Sequence, residues 1–200
     1  GFYDDRLRRR FLREKELEDR FPHALANGEF HMYLQPKVAL PERRIVGAEA
    51  LVRWISPEGM LCPNEFVPLF ERDGVIAELD FYMFCQVCAL LKRWEREGRP
   101  LFCVSVNVSR SNFDVSDFFA RYERHIAENQ VPARYLEFEF TESVVFDRTG
   151  EINQVIRRIH ALGARCSMDD FGSSYSSLNM LRSLEVDIIK LDQGFFRGDT

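Results

Sequence analysis

No stretch of this sequence is apolar for long enough to cross a bilayer. The longest apolar run, Phe81–Leu91, is interrupted by Gln86 and falls well short of the ~18 residues that a spanning helix needs. No secretory signal pattern is visible either, so the domain is expected to make no membrane contact of its own. A basic excess is also missing: 27 Lys and Arg stand against 32 Asp and Glu, a formal net charge of −5. Polyphosphate binding calls for a cationic face, so a nucleic-acid polymer is not the expected partner. A small phosphorylated ligand needs only one or two placed cations and stays open. The five cysteines (Cys62, Cys85, Cys88, Cys103, Cys166) are scattered and odd in number, which predicts free thiols in a reducing cytoplasm. Cys85 and Cys88 form a C-x-x-C, but within an apolar run and without a second pair; helix packing is expected of them rather than zinc or redox chemistry.

What is present is a well-stocked core, 46% hydrophobic with 18 Phe. Residues 1–26 differ from the rest: Arg6–Arg20 crowds charges of both signs around Leu7, Phe11, Leu12, Leu17 and Phe21 at roughly helical spacing. A solvated connector from an upstream segment is the first expectation, a dimerisation helix the second. Beginning at Gly1, the chain reads as part of a longer protein. From Glu29 the pattern becomes strand and helix. Phe30–Val38 and Ile45–Ile55 predict a hairpin. A helical region, Glu65–Arg96, breaks near Gly74. Strands are then expected over Leu101–Asn107, Tyr135–Phe140, Ala164–Asp169 and Val186–Leu191. Helices are expected over Val115–Asn129 and Glu151–Leu162, with a short one near Ser176–Leu181. Strand–helix units of about 30 residues imply parallel strands with right-handed crossovers. The expected fold is α/β, a (β/α) barrel that is incomplete, with about six strands.

Polar residues fall at the ends of those strands: Asn107, Glu139, Asp169, Asp170 and Lys190, with Glu49 placed more loosely inside its run. Barrel strands converge on one mouth at their C-terminal ends, where barrel chemistry is found. Along Tyr135–Phe140, Glu137 and Glu139 share one face and Leu136, Phe138 and Phe140 the other. Carboxylates and an amide converging on one point would repel one another without a cation, and oxygen-only donors suit Mg²⁺, Mn²⁺ or Ca²⁺ rather than zinc. None of His23, His31, His125 and His160 falls at a strand's C-terminal end. The chemistry this points to is metal-assisted attack on a phosphate ester, with Lys190 adding positive charge beside the attacking water or the transition state.

The motifs resemble a known family. Glu49-Ala50-Leu51-Val52-Arg53-Trp54 is similar to the E-A-L-x-R-W signature of EAL-type cyclic di-GMP phosphodiesterases. Gln35-Pro36, Val106-Asn107-Val108-Ser109, Glu139-Phe140-Thr141-Glu142, Asp169-Asp170-Phe171-Gly172 and Lys190-Leu191-Asp192 follow in the family's order. The resemblance runs from about Ala26 to the last residue. It implies a modified TIM barrel with an antiparallel first strand and two ions, Mg²⁺ or Mn²⁺. By similarity Glu49, Asn107, Glu139 and Asp169 hold the first ion, and Asp169 and Asp170 serve the second. Lys190 resembles the lysine that holds the attacking water, so Lys190, Glu49, Asp169 and Asp170 are the implied catalytic set. Arg53 resembles a phosphate contact, Gln35 and Leu51 resemble residues lining the dinucleotide groove, and Glu142 the glutamate that orders the Asp-Asp-Phe-Gly loop. The implied reaction is bacterial second-messenger hydrolysis, cyclic di-GMP to linear pGpG; the alternative is a cyclic di-GMP receptor that does not hydrolyse. Residues 1–26 resemble the connector after a GGDEF domain, so an upstream GGDEF or sensor domain in cis is implied.

Two departures stand out. Ser173 and Ser174 replace a Thr and a Gly of the family's loop, and Ser174 restricts a backbone position that favours positive φ. The chain also stops before a further strand with a catalytic glutamate and a later glutamine. Residues 27–200 are therefore expected to be the first two-thirds to three-quarters of the domain. Its open strand edge is expected to be covered by the rest of a longer chain or by a second copy, as in a homodimer, and the isolated 200 residues are expected to turn over little substrate.

Overall fold

The computed structural model describes residues 2–172, 184–192 and 194. The helix expected near Ser176–Leu181 and the loop positions Ser173 and Ser174 lie outside them. A long helix α1 (Phe2–Ala26) leads into the hairpin β1 (Phe30–Ala39) and β2 (Arg44–Ser56), followed by a short strand β3 (Gly59–Leu61). Helices α2 (Pro63–Arg72) and α3 (Ile76–Arg96) flank the break at Gly74, whose φ of 74° suits a residue without Cβ. Then come β4 (Cys103–Asn107), α4 (Phe119–Glu128), β5 (Leu136–Thr141), α5 (Glu142–Asp147), α6 (Thr149–Ala161), β6 (Arg165–Phe171) and β7 (Ile188–Leu191). β3 and α5 were not expected from the sequence, being only three and six residues long.

The strands form one seven-stranded sheet in the order β1-β2-β4-β5-β6-β7, with β3 on β2. β1 runs antiparallel to β2, and the remaining steps from β2 to β7 are parallel. The sheet curls. β2 and β7 are four steps apart in that order, roughly 19 Å on a flat sheet. Yet Lys190 on β7 reaches Glu49 on β2 at 2.7 Å. The described strands thus trace most of a barrel wall without closing it.

Strand parity sorts the side chains. The outward face carries Val104, Val106, Leu136, Phe138, Phe140, Cys166 and Met168, all buried under the helical layer from α3 to α6. α3 supplies Phe84, Val87, Cys88 and Leu91, so Cys88 of the C-x-x-C is a packing residue. All five cysteines are free thiols. A second cluster gathers Leu17, Phe21 and Ala24 of α1 around Phe30, Trp54, Phe66 and Phe70. Trp54 is fully buried and donates its Nε1–H to Glu29 at 2.8 Å. The last turns of α1 are therefore packed rather than solvated, whereas Leu7, Phe11 and Leu12 are exposed.

The inward face is different. It presents Ser105, Glu137, Glu139 and Ser167, all buried and all polar. Gly47 makes room there: a Cβ on it would sit 2.9 Å from the Cys103 carbonyl oxygen and 3.8 Å from Cδ of Lys37.

Candidate metal centre

Register explains how Glu49 reaches the mouth from the middle of β2. Only Gly47, Ala48 and Glu49 pair with β4; beyond them β2 follows β1 and β3 instead. Glu49 is thus the last β2 residue in the parallel wall. Asn107 and Glu139 are cross-strand partners near the ends of β4 and β5, and Thr141 partners Asp169 on β6. Carboxylate oxygens of Glu49, Glu139 and Asp169 lie within 4.8 Å of one another. Asn107 Nδ2 donates to Glu49 Oε1 at 3.4 Å.

Lys190 sits among the three carboxylates. Its Nζ donates to Glu49 Oε2 and Glu139 Oε2, both at 2.7 Å, and to Asp169 Oδ2 at 3.1 Å. Burial works against the charge on Lys190, but Glu139 and Glu49 more than offset it, so its pKa lies above the usual lysine value. As it stands this group is a proton donor and counter-ion, not a base.

Lys37, on β1, reaches across the interior to Glu137 Oε1 at 2.9 Å and Glu139 Oε1 at 2.8 Å. Glu139 is therefore clamped, one oxygen on Lys37 and the other toward Lys190 and the mouth. Burial would raise its pKa, yet Lys190 and Lys37 together bring it below the usual value. Four carboxylates (Glu49, Glu137, Glu139, Asp169) thus face two ammonium groups, an excess of two negative charges. That excess and the oxygen-only donor set fit a divalent cation of the Mg²⁺ type.

The other expected residues fall around this group. Asp170 is not part of the carboxylate triangle. Its φ is 57°, its N–H donates to Asp169 Oδ1 at 2.9 Å, and it lines an adjoining cleft with Thr141, Glu142 and Arg110. Burial first, then the Asp169 charge, raises its pKa. Gln35 is the cross-strand partner of Glu49 and is exposed. Leu51 and Arg53 stand on the extension of β2 and line a cleft of about 230 Å³ that also touches Asn107, Glu139 and Thr141. The Arg53 guanidinium lies 5.7 Å over the Tyr33 ring. Glu142, buried at the start of α5, accepts the Gly172 N–H at 2.8 Å and so ties down the turn after β6, where Gly172 has φ 96°.

Two residues at the site escaped the sequence reading, while Glu137 was placed on the Glu139 face without its partner. Lys37 shares strand parity with Gln35, its only local signal. Asp80 was hidden inside the apolar α3, where a lone carboxylate among buried residues was the available signal. It accepts from Ser109 N–H at 2.8 Å, Ser109 Oγ at 2.6 Å and Asn112 Nδ2 at 2.8 Å, fixing the loop that follows Asn107. Burial pushes its carboxyl up to about 6 against the pull of those bonds.

Among the described residues no helix is long and apolar enough to cross a membrane. The family model described as "EAL domain" matches residues 18–200. The cyclic di-GMP phosphodiesterase PA2567 of Pseudomonas aeruginosa is 38% identical over 169 residues, 84% of this chain and 29% of that protein. The cyclic di-GMP phosphodiesterase NbdA of the same organism is 31% identical over 195 residues, 97% of this chain and 25% of that protein. This chain thus spans under a third of either relative. Among solved structures, the PaMucR phosphodiesterase in complex with c-di-GMP superposes with a TM-score of 0.83 at 29% identity, covering 90% of this chain and 73% of that one. The antiparallel β1–β2 start, the carboxylate mouth and a match over most of its length agree: the chain belongs to the EAL domain family.

Proposed function

We propose that the protein hydrolyses one phosphodiester bond of cyclic di-GMP to give linear pGpG, using Mg²⁺ or Mn²⁺, two ions in the intact domain. The observation that carries this reading is the convergence of Glu49, Glu139 and Asp169 on Lys190, with Asn107 beside them, at the mouth of the parallel wall. The names of the two Pseudomonas relatives and the c-di-GMP complex support the choice of substrate.

Glu49, Asn107, Glu139 and Asp169 would hold the first ion, and Asp169 with Asp170 the second. When bound, the ions supply Lewis acidity at a phosphoryl oxygen and at the attacking water. Lys190, protonated and fixed by carboxylates, orients that water through an N–H donor. Arg53 and Leu51 bind the ligand in the cleft above Asn107, Arg53 by pairing with phosphate, while Gln35 flanks Glu49 from β1. In the reaction the oxygen of water joins phosphorus, the bond from phosphorus to the 3′ oxygen breaks, and that oxygen leaves with a proton. Glu142 keeps the turn after Asp170 in place. Residues 1–26 serve as connector to an upstream GGDEF or sensor domain in a cytoplasmic homodimer. The exposed Leu7 and Phe11, one helical turn apart, support a pairing role for α1.

The test is to incubate the intact protein with cyclic di-GMP and Mg²⁺ or Mn²⁺ and follow pGpG by chromatography. Product that vanishes with chelator is expected. Tight binding without product would replace this reading with that of a non-hydrolysing receptor.

A further inference from the structure

At the opposite end of the barrel wall from Lys190, three side chains of different chemistry meet. Cys166 is the second residue of β6 and fully buried, Asp187 immediately precedes β7, and His160 lies in the last turn of α6. The distances are 3.0 Å from His160 Nε2 to Asp187 Oδ2, 3.8 Å from Cys166 Sγ to His160 Nε2, and 3.6 Å from Cys166 Sγ to Asp187 Oδ2. Zinc bonds of about 2.3 Å to sulfur and about 2.0–2.2 Å to nitrogen and oxygen, at tetrahedral angles, place such atoms roughly 3.3–3.6 Å apart. The triangle is within a few tenths of an ångström of that figure on every side.

We propose that His160, Cys166 and Asp187 form a second, separate metal site, selective for Zn²⁺ and built from one nitrogen, one sulfur and one oxygen. The donor set differs in kind from the oxygen-only mouth, so the two sites sort ions by softness. The pocket is partly prepared for its ion. The Cys166 N–H donates to Asp187 Oδ2 at 2.8 Å and orients the carboxylate. The imidazole and carboxylate are about one-third exposed, at 35% and 36%, so an ion enters from solvent with the thiol behind it. On binding, the thiol proton leaves to solvent and the thiolate, imidazole and carboxylate take three positions, with water in the fourth. Such an ion would tie α6 to the start of β7, the strand that carries Lys190, and would staple the far end of the wall without taking part in the mouth.

Cobalt reports this site separately from the mouth, because only a sulfur ligand gives a near-ultraviolet thiolate-to-cobalt band. The intact protein is stripped with chelator and titrated with Co²⁺. One equivalent should raise that band together with the intense visible absorption of a four-coordinate ion. Zn²⁺ should abolish both, and a large excess of Mg²⁺ should leave them. The band should persist in Asp169→Asn and disappear in Cys166→Ser. His160→Gln, at a position about one-third exposed, guards against a folding defect in the cysteine variant; it should weaken Co²⁺ at least about 10-fold. Absence of the band in folded wild type would overturn the proposal and leave a metal-free ion pair between His160 and Asp187. So would a band that survives Cys166→Ser or keeps full affinity in His160→Gln.

Discussion

The two faces of this sheet solve different problems with the same alternating backbone. Outward, Leu136, Phe138 and Phe140 of β5 are fully buried, with Phe138 against Phe84 of α3 and Phe119 of α4 and Phe140 against Phe113. Inward, one residue along, Glu137 and Glu139 are almost as deeply buried, yet are held by Lys37 and Lys190. The outer face holds the wall together by removing apolar surface from water. The inner face costs stability unless its charges are matched, and the four carboxylates linked to Lys37 and Lys190 outnumber those two cations by two, an excess that suits a divalent ion. Stability and chemistry are therefore separable by strand parity, and substitutions can test the separation.

The largest effect should come from the outer face. Phe138 contacts Phe84, Phe119 and Tyr122, and Phe138→Ala should lower unfolding free energy by about 3–5 kcal/mol in urea titrations. Whatever fraction stays folded should bind divalent ions as wild type does. On the inner face, Lys37→Met should cost about 3 kcal/mol, the lower end for a buried pair because Lys37 is 28% exposed, by stranding Glu137 and leaving Glu139 to Lys190 alone. Adding Glu137→Gln should recover part of that loss, a coupling a double-mutant cycle measures directly. If the two changes were additive, Lys37 and Glu137 would not be coupled, and the ion pair would not be what holds Glu137 inside the wall.

Smaller is the effect of Asp80, a carboxylate set into the helical layer. Its native pKa of about 6 lies above the ordinary 3.8, so the folded state holds this proton more tightly than the unfolded chain. The stabilisation is complete below about pH 4 and is lost as pH rises through about 6. Relative to Asp80→Asn, wild type should therefore lose on the order of 2 kcal/mol between those values. A flat difference across that window would show that Ser109 and Asn112 keep Asp80 ionised throughout.

Legibility followed the same division. The outer face announced itself through alternation, and the expected strands match β1, β2, β4, β5, β6 and β7 to within two or three residues. Gly74 and Gly163 marked helix ends because both have positive φ, 74° and 77°. Asn107, Glu139, Asp169 and Lys190 were legible as strand-end polar residues and Glu49 only as a polar residue inside its run, and the structure brings all five together. Asp170 was legible as a residue but not in its direction, since a positive φ at a non-glycine depends on the turn after β6. Lys37 lay out of view because its partners are some hundred positions away, and only the curl of the sheet brings them within 3 Å. β3 was too short to carry a period. The burial of α1's last turns depends on Phe66 and Phe70 of α2, which no pattern within α1 contains.

The most direct test of the two-faced wall is Mn²⁺ binding followed by calorimetry on wild type, Asp169→Asn and Phe138→Leu. The inner face should be the ion's site, so Asp169→Asn should weaken Mn²⁺ at least about 10-fold while Phe138→Leu leaves it unchanged. Equal affinity in wild type and Asp169→Asn would contradict the account, because the unmatched negative charge at the mouth would then not be what holds the ion.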